Sequence, residues 1–240
     1  MLAYRLIKNQ SIVTPRSSCP HCHAMIVWYD NIPIISWLLL GGKCRNCNRP
    51  ISLLYPFIEL ITAVVLSLLY IFIPHHYFFA YFIFFSALIV TIRSDMETML
   101  ISRFATIFLV PFGCMMSAYG LLPLSLTESI TGALFGYVFL CTINRIFRRL
   151  RNIDGIGEGD FDLILFIGSF TGIIGCWISI TIGSMLGSLY GLFTLLTSDN
   201  NTTLDYSLQT AKIPFGPFLA FGALLFTFIQ QQIFVYLISN

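Results

Sequence analysis

Apolar residues in this chain of 240 residues come in long blocks separated by short polar gaps, without the alternation of a half-buried strand or the one-sided stripe of a surface helix. A helix rising about 1.5 Å per residue needs roughly 20 apolar residues to cross the hydrocarbon of a bilayer. Beyond residue 53 the blocks predict spans at 54–73, 77–92, 104–122, 128–144, 161–178, 180–197 and 213–236. The fifth and sixth share one almost unbroken apolar stretch, too long for one span and short for two, which reads as two helices joined by a tight turn. The first 53 residues differ in kind, with turn formers, paired cysteines and six of the 13 lysines and arginines. The chain therefore divides into an N-terminal module, 1–53, and a transmembrane domain, 54–240.

Charge sets the polarity of these spans, because Lys and Arg favour cytoplasmic loops. With the module in the cytosol, the cytoplasmic gaps are 93–103, 145–160 and 198–212. Every basic residue then falls in the module or at one of these gaps, from Arg93 and Arg103 through Arg145, Arg148, Arg149 and Arg151 to Lys212. Composition agrees with a lipid solvent, since only 10% of residues are charged, against about a quarter in soluble domains. A net charge of +2 confined to loops excludes nucleic acid as a partner. Met1 to Pro15 has neither an apolar core run nor a small-residue cleavage site, so no secretory signal is expected and the N-terminus begins in the cytosol. Small-residue spacing at Gly132 and Gly136, at Gly168 and Gly172, and at Gly183, Gly187 and Gly191 suits close helix packing within the chain; homodimerisation through the last series is the alternative.

Four of the seven cysteines form Cys19-Pro20-His21-Cys22 and Cys44-Arg45-Asn46-Cys47. Each CxxC turn directs two thiolates at one ion, and the pairing has the spacing of a tetrahedral four-cysteine zinc site. Structural disulfides are rare in the reducing cytosol. Four thiolates leave no open coordination position, so the zinc is structural and supplies folding free energy that a module with little apolar core lacks. His21 and His23 are substitute ligands, polar loop residues or outer partners of the site. Cys114, Cys141 and Cys176 lie in apolar runs and read as packing residues. The expected fold class is an all-α membrane protein, a polytopic helical bundle of about seven transmembrane helices with a small N-terminal cytoplasmic zinc-binding module.

Asp95 follows the second predicted span and Asp160 opens the fifth within Gly157-Glu158-Gly159-Asp160, both on the cytosolic side. Carboxylates at a bilayer boundary are costly and point to function. Two that converge from different helices could share one proton, one serving as general base to a water while the other acts as acid. The glycines before Asp160 permit a close backbone approach or a strained turn there. Residue types alone leave a second reading open, in which both are solvated interfacial charges or helix caps, with Glu97, Asp154, Glu158 and Asp162 as neighbouring competitors. No HExxH, GxSxG or P-loop pattern offers another chemistry.

Beyond these features the chain resembles the type IV prepilin peptidases, bifunctional leader peptidases and N-methyltransferases of type IV pilus and type II secretion systems. The resemblance runs in order through both CxxC pairs, Tyr29-Asp30-Asn31-Ile32-Pro33 with Ser36-Trp37-Leu38, Gly42-Lys43-Cys44-Arg45, Tyr55-Pro56 with Glu59, Asp95, Gly157-Glu158-Gly159-Asp160, and Ile213-Pro214-Phe215-Gly216-Pro217. It implies an intramembrane aspartic protease of the bacterial inner membrane with Asp95 and Asp160 as catalytic pair and prepilins or pseudopilins as substrates. It also implies cleavage after the glycine that ends a short basic leader, on the cytoplasmic face, and methylation of the new N-terminus by S-adenosylmethionine, with the module and Glu59 as the places to look. The Pro214-Phe215-Gly216-Pro217 stretch either breaks the backbone beside an unwound substrate or simply begins a helix.

Three departures from the family's pattern stand out. Family members usually carry a further span ahead of the module, whereas this chain starts at about its end. Ser102 stands where proline is usual, and Asp162 stands where lysine is common. Asp162 thereby reverses a charge beside the active site and would act on the protonation of Asp160 if the two side chains are close. A cleavage-only enzyme and a non-enzymatic zinc-anchored scaffold or transporter are the alternative functions.

Overall fold

The computed structural model of the chain describes residues 18–19, 21–101, 103–152, 155–197 and 214–239. Ser102 and Asp154 lie outside the described residues. Contacts divide the chain into two compact units, Met1–Ile71 and Phe72–Asn240.

In the first unit one cysteine knuckle precedes a 3₁₀ turn, Trp28–Asn31, and a short helix α1, Ile35–Leu39, and a second knuckle follows them before a long helix α2, Leu54–Phe72. Antiparallel bridges Ser18–Met25 and Lys43–Pro50 close the two knuckles. Trp37 Nε1 donates to the Ile51 carbonyl at 3.2 Å, and its ring occupies the space a side chain at Gly42 would need. Gly42 also has φ +68, so both the backbone and the neighbouring ring require glycine here.

The regular structure among the described residues of the second unit is all helical. It comprises α3, His75–Thr98; a short helix α4, Arg103–Thr106, with a 3₁₀ turn Ile107–Leu109; α5, Val110–Ala118; α6, Leu126–Arg151; α7, Glu158–Thr197; and α8, Gly216–Ser239. Ser125 and Glu128 form a capping box at the start of α6, whose last turn carries Arg148, Arg149 and Arg151, which complements the helix dipole.

Four described helices are long and apolar enough to cross a membrane: Leu54–Phe72, His75–Thr98, Leu126–Arg151 and Glu158–Thr194. Two further apolar helices, Ile107–Ala118 and Gly216–Gln231, are shorter. Each of the seven predicted apolar blocks contains described helix, but not all reach spanning length alone.

Helix α7 resolves the ambiguous stretch. Its 40 residues would extend about 60 Å if straight, twice the roughly 30 Å of bilayer hydrocarbon. It is not straight. A side chain added at Gly136 would meet both Ile164 Cγ1, at 3.1 Å, and Cys176 Sγ, at 2.4 Å, residues that a continuous helix would separate by about 18 Å. Phe161 packs on Tyr137 while Trp177 packs on Phe139, so the two arms run past the same length of α6. The chain folds back at Gly172, whose φ 70 and ψ −170 fall in a region essentially reserved for glycine. The tight turn is therefore present at residue 172, earlier than the expected junction near 179, because the backbone can reverse only where glycine permits it.

The glycine pairs set the spacing of these helices. A Cβ at Gly168 would lie 2.4 Å from the Gly132 carbonyl oxygen, and one at Gly132 would lie 2.5 Å from the Gly172 carbonyl carbon. Gly183 abuts Leu219 and Gly187 abuts Phe215, so these two glycines serve packing within the chain. Because the obstructing atoms are backbone, Gly168→Ala is expected to force α6 and the first arm of α7 apart. Overpacking of this kind costs about 1–3 kcal/mol, and thermal unfolding in detergent should shift down by several degrees.

The core of the second unit is aromatic. Tyr81, Phe84 and Phe85 of α3 and Phe166 and Phe170 of α7 are fully buried. Phe84 stacks on Phe170 at 4.8 Å and meets Phe166 at 5.3 Å, while Phe85 reaches Phe228 of α8. Pairing the middle of α3 with these residues makes both the first arm of α7 and α8 antiparallel to it. The C-terminal end of α3 therefore meets the N-terminal ends of α7 and α8.

Candidate active site

Three helix ends converge there. Asp95 lies one turn before the end of α3; its backbone carbonyl accepts from Met99 N–H, and Met99 leaves the helix in the left-handed conformation at φ 52. Asp160 lies in the first turn of α7, its N–H donating to the Gly157 carbonyl at 3.1 Å. Gly216 opens α8 and donates its backbone N–H to Asp95 Oδ2 at 3.0 Å. The free amides at helix N-termini favour negative charge, so the starts of α7 and α8 suit the carboxylates they meet. Asp95 is buried and Asp160 half-buried.

Ile101, in the loop leaving α3, locks these ends together. Its Cβ would lie 2.7 Å from a side chain added at Gly159, and its Cδ1 would lie 3.5 Å from one added at Gly216. The glycine before Asp160 is thus required for close approach, as expected, and its neighbour is a loop isoleucine. A Cβ at Gly216 would approach Asp95 Oδ2 to 2.8 Å, which gives that glycine a reason beyond starting a helix. From the other side, Asn144 Oδ1 accepts the N–H groups of Gly155, at 2.9 Å, and Ile156, at 3.3 Å, tying the loop before Asp160 to α6.

The competing acids are accounted for differently. Glu97 pairs with Arg93 at 2.5 Å, while Arg103 reaches Glu158 at 3.4 Å and Asp162 at 3.0 Å. Among the described residues no salt bridge involves Asp95 or Asp160. Asp162, expected to place a reversed charge beside Asp160, is instead compensated by Arg103. Ile101, Asn144 and Arg103 complete a setting that residue types alone did not reveal; Gly159 and Gly216 lay within motifs already singled out, whereas Ile101 and Asn144 carry no sequence signal.

The second candidate site is the cysteine cluster of the first unit. The Sγ atoms of Cys19, Cys22, Cys44 and Cys47 lie within 4.8 Å of one another. The Cys19–Cys47 separation is 3.8 Å, matching the edge of about 3.8 Å that a tetrahedron has when Zn–S is about 2.3 Å. The two knuckles are built alike. His23 N–H donates to the Cys19 carbonyl and Asn48 N–H to the Cys44 carbonyl, each at 2.9 Å, and both residues have positive φ, 56 and 55. His23 is therefore a turn residue, and His21 Nδ1 lies 3.0 Å from Arg49. Backbone N–H groups of Cys22 and His21 pull the Cys19 thiol down to about 6, and those of Cys47 and Asn46 lower Cys44. At Cys47 the Arg49 amide pulls downward, but desolvation and the neighbouring cysteines push the thiol up to about 11. Four thiolates so close repel one another, and a divalent ion relieves that repulsion; the donor set fits zinc.

The Tyr-Asp-Asn-Ile-Pro segment is bound to the second knuckle. Arg45 donates from Nε and Nη2 to the two carboxylate oxygens of Asp30, at 2.8 and 2.7 Å, and its guanidinium lies 5.3 Å from the Tyr29 ring centre. Hydrogen bonding from Arg45 holds the Asp30 carboxyl below its ordinary range. Glu59 Oε2 accepts the Ile34 N–H at 2.8 Å, fixing the start of α1 where Ile34 itself has φ 62.

A helical domain with several helices long and apolar enough to cross a membrane, together with a four-cysteine knuckle unit, defines the class: a polytopic membrane protein. Residues 1–73 match the bacterial peptidase A24 N-terminal domain, and residues 82–192 match the type IV leader peptidase family. The chain is 32% identical over 211 residues to a prepilin leader peptidase/N-methyltransferase of Aeromonas hydrophila, covering 88% of this chain and 70% of the relative. It is 35% identical over 214 residues to the protein of that name from Burkholderia pseudomallei, covering 88% and 66%, and 30% identical over 215 residues to that of Pseudomonas aeruginosa, covering 88% and 70%. It thus spans between 66% and 70% of these relatives' length. The chain belongs to the type IV prepilin leader peptidase family. No solved structure matches it.

Proposed function

We propose that the chain removes the short basic leader from prepilins or pseudopilins, with Asp95 and Asp160 activating the attacking water. The observation that carries this reading is the convergence of two carboxylates without salt bridges among the described residues, at three helix ends, while nearby acids are paired with arginine. One carboxylate takes a proton from water as it attacks the peptide carbonyl while the other, protonated, donates its proton to the carbonyl oxygen. As the tetrahedral intermediate collapses, the first passes the proton taken from water to the leaving amine and the second recovers a proton from the intermediate's hydroxyl. The Gly216 N–H holds one oxygen of Asp95, leaving the other to face the water. The active end faces the cytosol of the inner membrane, where the basic loops lie, and the charge of the Asp95–Asp160 pair favours a basic leader.

Zinc, bound by Cys19, Cys22, Cys44 and Cys47, supplies structure to the N-terminal unit; four thiolates complete its coordination. Methyl transfer is supported by the names of the relatives, and S-adenosylmethionine is the donor this reading assigns to it. Glu59 is committed to the Ile34 amide and serves that reading as an anchor for α1.

Coexpression with a prepilin, followed by intact-mass measurement of the pilin, tests both activities. The expected product lacks the leader and carries one added methyl at its new N-terminus. A leaderless but unmethylated product would confine the chain to cleavage, and an intact prepilin would remove the proposal.

A further inference from the structure

We propose that Arg103 and Asp162 form a positioning bridge that sets the catalytic geometry by clamping the loop after Asp95 onto the first turns of α7. The inference rests on the catalytic reading of Asp95 and Asp160. Arg103 begins α4, two residues beyond Ile101, and Asp162 lies two residues beyond Asp160. Their Nε–Oδ2 contact is 3.0 Å, with the Asp162 side chain only 9% exposed and that of Arg103 66% exposed.

An ion pair with one partner this exposed contributes little to global stability. Its asymmetry gives it another consequence. The Asp162 carboxylate is almost enclosed, and losing its cation would strand a buried charge, which turning that face of α7 outward would relieve. Such a turn would carry Asp160 with it, because both lie within two turns of the helix start. On the opposite side the bridge anchors the loop that bears Ile101, the side chain seated on Gly159 and beside Gly216. Gly216 in turn holds Asp95. The bridge therefore closes a ring of contacts: Asp162 to Arg103, the loop to Ile101, Ile101 to Gly159 and Gly216, and Gly216 to Asp95. Glu158, 3.4 Å from Arg103 and 89% exposed, is a weaker outer contact of the same guanidinium.

A bridge that works by geometry should tolerate reversal of its polarity but not removal of one partner. The test uses the full chain in proteoliposomes with a prepilin and compares Asp162→Lys, Arg103→Asp and the double exchange, reading kcat, KM and thermal unfolding separately. Each single reversal should lower kcat by about tenfold or more, with KM changed less than about twofold, and the double exchange should recover kcat to within about threefold of wild type. Arg103→Lys, which keeps the charge but not the fork, should retain more activity than Arg103→Asp. If a reversal prevents folding, the cycle of Asp162→Asn and Arg103→Gln measures the same coupling. The proposal is overturned by wild-type kcat in the single variants, by a double exchange no faster than its slower parent, or by losses confined to KM or to the folded fraction. Asp95→Asn and Asp160→Asn in the same assay separate the two claims. Activity in those variants would remove the catalytic reading, whereas their inactivity with no coupling between 103 and 162 would remove the bridge alone.

Discussion

Asparagine in place of either Asp95 or Asp160 is expected to lower leader cleavage by about 10²–10⁴-fold, the contribution typical of a positioned acid or base. The larger end of that range applies if the carboxylates act as one unit, since removing one member of such a unit costs nearly as much as removing all. The substitution is close to isosteric, and an asparagine amide oxygen at 95 can still accept the Gly216 N–H. The helix ends should therefore keep their arrangement, and thermal unfolding should change little. Loss of rate with an unchanged unfolding profile marks a chemical role. The reading of these residues as solvated interfacial charges makes the opposite forecast, full activity in both variants.

Removing the metal should have the second large effect, confined to the first unit. Structural zinc contributes about 10–16 kcal/mol to small modules, comparable to the whole stability of a domain. The described knuckle residues bury little apolar surface, with Cys19 the one buried hydrophobic residue among them, so nothing else can offset its loss. Wild-type chain purified in detergent should carry about one zinc per molecule, and Cys19→Ser combined with Cys22→Ser should carry none. Limited proteolysis should then cut the knuckles while sparing α3 to α8, which belong to the other compact unit. A metal-free chain with intact, protected knuckles would contradict the zinc assignment. Acid should act in the same direction as the substitutions. Protons compete with zinc for the thiolates, and the Asp30–Arg45 contact weakens as well. The folded-state value of Asp30 is depressed, so its stabilisation is full at neutral pH, above the ordinary aspartate value near 4, and disappears as pH falls through the depressed value.

Much of this organisation was legible because lipid and metal impose strong patterns. Apolar blocks located the helices, and the two CxxC turns located the cluster, since each requires residue types that little else explains. What remained hidden depends on contacts between distant residues. The reversal within the long apolar stretch required knowing which glycine would leave helical geometry, and Gly168, Gly172 and Gly175 look alike in sequence. Asp162 read as an unbalanced charge because its partner, Arg103, is 59 residues away. Asn144 carries no sequence signal, although it accepts two amides of the loop before Asp160. Gly216 was visible as part of a helix-breaking motif, but its hydrogen bond to Asp95 spans 121 residues.

The central claim, that Asp95 and Asp160 together hydrolyse the leader bond, is tested most directly by incubating purified prepilin with purified wild-type, Asp95→Asn and Asp160→Asn chains and following the released leader by mass spectrometry. The wild-type chain should release a single leader peptide, and neither variant should release it at more than about one hundredth of that rate. Leader release near the wild-type rate by either variant would contradict the account.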